Sequence, residues 1–276
     1  MSRKAFLSFT LRGLLLAAFL GASTLLMAGD KQIRKRGQPP ADQVAVEMFK
    51  AIADGQIAVK LIPKDATQCR VRIENKTDKP LSVKLPDSFV GVPILAQFGG
   101  QQPLGGNRGS NRGGTSGGGN QSFGGGMGGY PGGGGMMGGG MGMFNLPPEK
   151  VGQLEIPIVC LEHGKKNPKP AIPYEIRPVE SFTQKSGVKE LLQIFGASHL
   201  NQQAVQAAAW HLNNDLSWQE LACKRIYYPG GSVRGPYFSP QEIQVGMNLA
   251  AAAQKAAQEN KDQEKTARPG NSLYPQ

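Results

Sequence analysis

In the run Cys69-Arg-Val-Arg-Ile-Glu-Asn-Lys-Thr-Asp-Lys-Pro-Leu-Ser-Val-Lys-Leu85, apolar and polar residues alternate on both sides of a turn. Cys69, Val71 and Ile73 fall on one side of the pleat and Arg70, Arg72 and Glu74 on the other. Leu81, Val83 and Leu85 alternate with Ser82 and Lys84 in the same way. Successive strand side chains point to opposite faces, so the pattern predicts antiparallel strands with one buried and one wet face. Asn75-Lys-Thr-Asp-Lys-Pro80 has the composition of a hairpin loop. Upstream, Ile57, Val59 and Leu61 continue the period of two. Downstream, Phe89 to Leu95 is an apolar run broken by Gly91 and Pro93, which suits an edge strand or a crossing loop. Asp42 to Asp54 is expected to be a short helix, with Asp42 as cap, Val44, Met48, Ala51 and Ile52 on one face, and Gly55 as the stop.

Residues 99–143 then interrupt the pattern. Of the 38 glycines in the chain, 23 lie between Gly99 and Gly142. Glycine loses the most backbone freedom on ordering, and this tract has few side chains to bury in return. It is expected to be a disordered insertion. The period of two resumes beyond it, with Leu154, Ile156, Ile158 and Cys160 against Glu155, Pro157 and Val159, and a last strand within Tyr174 to Val179. Neither half has enough strands alone; together they give about six or seven over roughly 100 residues, the size of an immunoglobulin-like antiparallel β-sandwich. Closure entropy grows slowly with loop length, so one domain can carry such an insertion.

From Ser186 the pattern is helical. Val188, Leu191, Leu192 and Phe195 form a stripe ended by Gly196, and Gln202 to Leu212 is alanine-rich. Ser217-Trp-Gln-Glu220 and Ser239-Pro-Gln-Glu242 are capping-box patterns, opening a third helix that carries Leu221 and Ile226 and a long fourth helix to Asn260. Phe195, Trp210, Leu212 and Trp218 are too many large apolar groups for a bundle of about 75 residues to hide alone, so it should dock on the β part. The expected class is α+β: 41–98 a short helix and the first part of the sandwich, 99–143 the insertion, 144–182 the second part, 183–260 a small helical bundle, and 261–276 a disordered tail.

The N-terminus sets the compartment. Arg3, Lys4 and Arg12 precede an apolar run from Gly13 to Met27, and Ala28 offers a small residue for cleavage. This describes a secretory signal peptide over 1–28, with an apolar run shorter than the ~20 residues a spanning helix needs. Its removal takes away three positive charges and no negative ones, so the net charge of +11 becomes +8. Within the basic linker 29–40, Lys31, Arg34, Lys35 and Arg36 can rest on an anionic surface, although a solvated linker that keeps the protein soluble is the preferred reading. The expected location is secreted or periplasmic, in the cell envelope.

The reactive residues are few. Three cysteines leave at least one unbridged; in an oxidising compartment Cys69 with Cys160 is the best pairing, and three buried thiols, Cys223 included, are the alternative. Cys160-Leu-Glu-His163 has a ligand-like spacing, but a zinc site would need His199 or His211 to converge on it from other segments. No metal or cofactor is expected. A hydrolase would require Cys160, His163 and a carboxylate such as Glu162 or Glu175 in one pocket, and no nucleophile-elbow motif accompanies them. Arg108 and Arg112, with Phe123, Tyr130 and Phe144 interleaved, resemble an arginine–glycine nucleic-acid-binding segment, but two arginines are few for one. Export removes the usual partner, and no nucleic acid is expected. Met127, Met136, Met137, Met141 and Met143 could hold Cu(I), but no His or Cys lies in the tract to support them. What remains is a non-enzymatic binding or structural protein, whose partner is a protein or a cell-surface polymer. The alternatives are a hydrolase near Cys160 and His163 or a glycine-rich nucleic-acid-binding protein.

The segments Val71 to Leu81, Gly91-Val-Pro-Ile-Leu-Ala-Gln97 and Val159-Cys-Leu-Glu-His-Gly-Lys165, with a Gly/Met-rich tract before the last, resemble a group of uncharacterised secreted bacterial proteins. The resemblance implies the order β segment, glycine insert, β segment, helical tail, and no known activity or cofactor. Glu74-Asn-Lys-Thr-Asp-Lys-Pro80 also looks like a hairpin phrase common in bacterial immunoglobulin-like domains.

Overall fold

Alternating strands and amphipathic helices assemble as an α+β fold in the computed structural model, which describes residues 44–94, 119–129 and 142–267. The signal peptide, the basic linker, the Asp42 cap, most of the glycine tract and residues 268–276 lie outside the described residues. In chain order the strands before the tract are β1 (Val44–Glu47), β2 (Ile57–Pro63), β3 (Gln68–Asn75), β4 (Leu81–Lys84) and β5 (Phe89–Pro93). They are followed by β6 (Phe123–Gly125), β7 (Met143–Leu146), β8 (Val151–Pro157), β9 (Val159–Cys160) and β10 (Tyr174–Arg177). The helices are α1 (Met48–Ala53), α2 (Val188–Ala197), α3 (Gln202–Asn214), α4 (Trp218–Cys223) and α5 (Pro240–Ala267). A hairpin of β11 (Arg225–Tyr227) and β12 (Val233–Pro236) separates α4 from α5.

The main sheet has seven strands in the order β8-β3-β2-β10-β5-β6-β9, each pair antiparallel, and β1-β4-β7 form a three-stranded sheet. Strands from before and after the glycine tract pair directly, β3 with β8 and β4 with β7. The sheets are unequal in size, and the large one is curled. Ile158 alone separates β8 from β9, yet these strands stand at opposite edges of the large sheet. One continuous run can leave one edge and join the other only if the sheet bends round on itself, as a half-barrel does. Its concave face and the small sheet share one core, including Leu61, Val71, Ile73, Leu154 and Ile156 from the first and Val83, Phe144 and Leu146 from the second.

The glycine tract differs most from its reading as a wholly disordered insertion. Gln121 to Met127 are buried, and β6 is an interior strand between β5 and β9. Phe123 is fully buried against Tyr174, with ring centroids 5.0 Å apart, and Met127 is fully buried in the same core. The glycines here permit close approach. A Cβ on Gly124 would meet the Leu192 side chain at 2.6 Å, and one on Gly126 would meet backbone atoms of Gly196, Leu192 and Asp87 at 2.6 Å. Helix α2 thus packs directly on the β6 segment. Composition hid a strand whose partner is a helix backbone.

β5 is likewise an interior strand rather than an edge: Gly91 leaves room for the Phe123 ring, and Pro93 lies at its end. At the start of the domain, β1 takes the place of the expected first helical turn. Pairing with β4 outcompetes helix there, and the Glu47 side chain caps α1 by accepting from the Lys50 N–H. Gly55 does end that segment, at φ +70°. Ile226, expected on a helix, lies in β11. Helix α5 runs to Ala267, past the point where a disordered tail was expected to begin, with Gln258 donating to Asp262 one turn on.

The helices dock on the sheet. Val90, Val159 and Leu161 share a core with Leu191, Leu192, Phe195, Val205 and Leu212. Helix α3 also satisfies the backbone at β9. Gln206 accepts from the Cys160 N–H and donates to the Cys160 carbonyl, both at 2.8 Å, as a neighbouring strand would. Gln202 donates to the Ile158 carbonyl and Asn213 to that of Leu161. Buried backbone groups need partners, and side-chain amides supply them where the ladder ends.

Candidate functional site

Beyond β9 the chain turns at Glu162, whose carboxylate accepts from the Ser122 N–H at 2.8 Å and pairs with Lys165. Burial works to raise the Glu162 pKa, but these bonds outweigh it and hold the carboxyl below its usual range. The next residue, His163, donates its backbone N–H to the Asn214 side chain at the end of α3. This fixes the imidazole edge-on to Trp210, with ring centroids 4.8 Å apart. Helix α4, opened by the complete Ser217–Glu220 capping box, ends at Lys224 and returns the chain to the same place. The Tyr237 N–H donates to the Lys224 carbonyl at 2.9 Å as the hairpin closes.

Four side chains meet there. Lys224 Nζ lies 2.8 Å from His163 Nε2, 5.3 Å from the centroid of Trp210 and 5.4 Å from that of Tyr237. Among the described residues, Lys224 has no carboxylate partner. Its charge rests on two aromatic faces and one imidazole, an arrangement the ring quadrupoles favour. Burial lowers the Lys224 pKa. Burial also lowers that of His163, and the neighbouring Lys224 lowers it further, with Glu220 opposing. An ammonium can only donate, so Nε2 of His163 is the acceptor and its proton sits on Nδ1. The box pairs a shielded amine with a neutral imidazole able to take its proton.

The sequence candidates are not brought together. Cys160 Sγ lies 3.8 Å from the Ala66 carbonyl, and burial pushes its thiol up to about 12, far from a reactive thiolate. Glu175 lies in β10 and is paired with Arg177. His211 contacts the Leu216 carbonyl through Nδ1 and stacks on Trp218, while His199 is exposed. Among the described residues, no group of three or more His, Cys, Asp or Glu could hold a metal ion. Phe123 and Phe144 belong to the core and are not free to stack on bases, and Met127 is buried away from any ion. Tyr130, Arg108, Arg112, Met136, Met137 and Met141 lie outside the described residues. Two small cavities, of about 200 and 260 Å³, are lined by residues such as Ile62 and Arg70, and Phe49 and Lys189. Neither includes a residue of the box.

The cysteines correct another expectation, since no Cys69–Cys160 bridge is present: Cys69, Cys160 and Cys223 are all free. Only Cys223 is exposed, and burial pushes the thiol of Cys69, like that of Cys160, up to about 12. In the folded, reduced protein an aromatic disulfide reagent should titrate one thiol per chain, and in denaturant all three. A second thiol reacting before unfolding would contradict the burial of the strand cysteines.

Sequence reasoning singled out His163 and missed Lys224 and Tyr237. The available signal was Tyr227-Tyr-Pro-Gly-Gly-Ser232 between short β-prone runs, a hairpin turn. Comparison of the chain with protein families, with curated proteins and with solved structures returns no match. The described residues therefore define the class by geometry alone: a curled antiparallel sheet covered by helices, with an aromatic box at the root of an exposed hairpin. Among those residues no helix is long and apolar enough to cross a membrane.

Proposed function

We propose that the mature chain is an exported, non-enzymatic binding protein of the bacterial cell envelope that uses the β11–β12 hairpin to hold an anionic cell-surface polysaccharide. The observation that carries this is the hairpin's surface. Tyr227, Tyr228 and Val233 are 60%, 52% and 57% exposed, although they lie within one short turn of chain. Lys224, Arg225 and Arg234 supply positive charge, and no carboxylate occurs from Lys224 to Tyr237. Arg234 lies over the Tyr228 ring at 5.9 Å. Exposed tyrosines offer flat apolar faces to sugar rings, and arginines offer paired donors to carboxylate or phosphate.

A lone two-stranded hairpin is marginal in water. This one is rooted by the Tyr237–Lys224 backbone bond and the aromatic box, so its tip can stay open to a partner. Lys31, Arg34, Lys35 and Arg36 offer a second cationic contact, and two weak contacts on one chain raise avidity. The finer reading of the β part, an immunoglobulin-like sandwich, is supported by the small sheet that shares its core with the large one.

The test is retention on immobilised polygalacturonate across a salt gradient. The wild-type chain should elute late, and Arg225→Glu with Arg234→Glu should weaken binding about tenfold and flatten its salt dependence. Tyr227→Ala with Tyr228→Ala should weaken binding without changing the salt slope. Unaltered retention in both double variants would remove the hairpin from the contact.

A further inference from the structure

We infer that Lys224 is a covalent capture site for aldehydes, its amine activated by His163 and its product held by Trp210 and Tyr237. The inference rests on the box alone and does not depend on which partner the hairpin holds. An amine adds to a carbonyl only as the free base, so a capturing lysine needs a nearby proton acceptor and shielding from water. Lys224 has both. His163 Nε2 lies 2.8 Å from Nζ with its lone pair directed at the ammonium, and the amine is half-buried. No carboxylate among the described residues is paired with Nζ to lock it as a cation. Glu220 acts in the direction that favours the imidazolium formed when His163 takes the proton.

The steps balance without any further reagent. The Lys224 ammonium passes one proton to His163 Nε2. The free amine then attacks the aldehyde carbon, and the carbonyl oxygen ends as the hydroxyl of a carbinolamine. His163 returns its proton to that hydroxyl, which leaves as water, and nitrogen and carbon become joined by a protonated double bond. Overall, one ammonium and one aldehyde give one iminium and one water, with no change of charge.

The box explains why an aldehyde, rather than an acyl donor, is the matching class. Acylation would leave a neutral amide where the structure provides two aromatic faces suited to a cation. An iminium keeps its positive charge against those adjoining rings. The capture is stoichiometric and reversible, as suits a binding protein, and the aldehyde class includes the open-chain form of a reducing sugar end.

The experiment uses the mature chain, propionaldehyde as probe, and cyanoborohydride to trap the adduct at neutral pH, with labelled lysines located by peptide mass mapping. Lys224 should be alkylated about tenfold faster than the exposed Lys60 and Lys64, since free-base fraction sets the rate. In His163→Gln the advantage should fall severalfold without reaching parity, since burial alone already lowers the Lys224 pKa, while the melting temperature holds. If that variant does not fold, the wild-type pH profile decides. The advantage should shrink both in strong alkali, where every lysine is free base, and in acid, where His163 is already protonated. Labelling of Lys224 no faster than Lys64 in the wild-type chain would overturn the capture site. An undiminished advantage in folded His163→Gln, or an advantage unchanged with pH, would overturn the proton transfer to His163.

Discussion

A chain carrying Phe123→Gly and Met127→Gly, which makes the tract uniformly poor in apolar side chains, is expected to lose its cooperative thermal transition. Both side chains are fully buried, Phe123 in an interior strand of the main sheet and Met127 just beyond it. Truncating a buried Phe costs about 3–5 kcal/mol and a buried Met about 2–5, before the added backbone freedom of glycine is counted. The sum is comparable with the whole stability of a domain, roughly 5–15 kcal/mol. Circular dichroism on heating checks it. A sharp transition within a few degrees of wild type would mean that β6 does not hold the sheet together. The same reasoning reverses an expectation that follows from composition. A short linker in place of residues 99–143 would remove β6 and leave β5 and β9 without their common neighbour.

The second large effect is expected at Gly196, where local propensity and packing oppose each other. Alanine is favoured over glycine by about 1 kcal/mol inside a helix, so Gly196→Ala should stabilise α2 if only the helix mattered. A Cβ there would instead meet the Gly126 Cα at 2.4 Å and its carbonyl carbon at 2.6 Å. Backbone cannot swing aside as a side chain can, so helix and strand must separate. Overpacking costs about 1–3 kcal/mol, and a contact with backbone at 2.4 Å lies towards the costly end, above the gain in propensity. We expect a net loss of up to about 2 kcal/mol, read as a lower urea midpoint with the slope unchanged. Gly126→Ala should behave alike, and a higher midpoint in either variant would show that the close approach is not maintained.

These positions show where the sequence is legible. Strands β2, β3 and β8 declare themselves by alternation because each has one wet face, and β4 alternates too although its Ser82 is buried and donates to Asn145. The two capping boxes are legible because their chemistry is local; Ser239 and Glu242 exchange the same pair of bonds as Ser217 and Glu220. β6 is not legible, because both its faces are covered and small residues are what a close helix requires. Its Phe123 looked like an isolated aromatic in a glycine tract until Tyr174 and Gly91 were placed beside it. β1 is hidden for another reason: Val44 to Glu47 pairs with a strand more than thirty residues away, and helix and strand read alike over so short a run.

The box was half legible. His163 stood out because histidines are scarce, three in the chain, and because it follows a strand. Lys224 is one of many basic residues, and nothing local distinguishes it. Its character comes from Trp210 on α3, Tyr237 after β12 and an imidazole sixty-one residues back in the chain. A constellation assembled from four segments has no spacing to read.

The amides of α3 along β9 also bear on how the protein avoids polymerising. An uncovered strand edge is a template on which another chain can grow, and hydrophobic edges of this kind seed fibrils. Here the Cys160 N–H and carbonyl at the β9 edge are occupied by Gln206. That guard lies downstream of every strand in the sheet it protects. A polypeptide emerging N-terminus first therefore finishes its sheet before its guard exists. Solubility of the newly made chain depends on the speed with which α3 arrives, and that interval is when a holding chaperone would matter most.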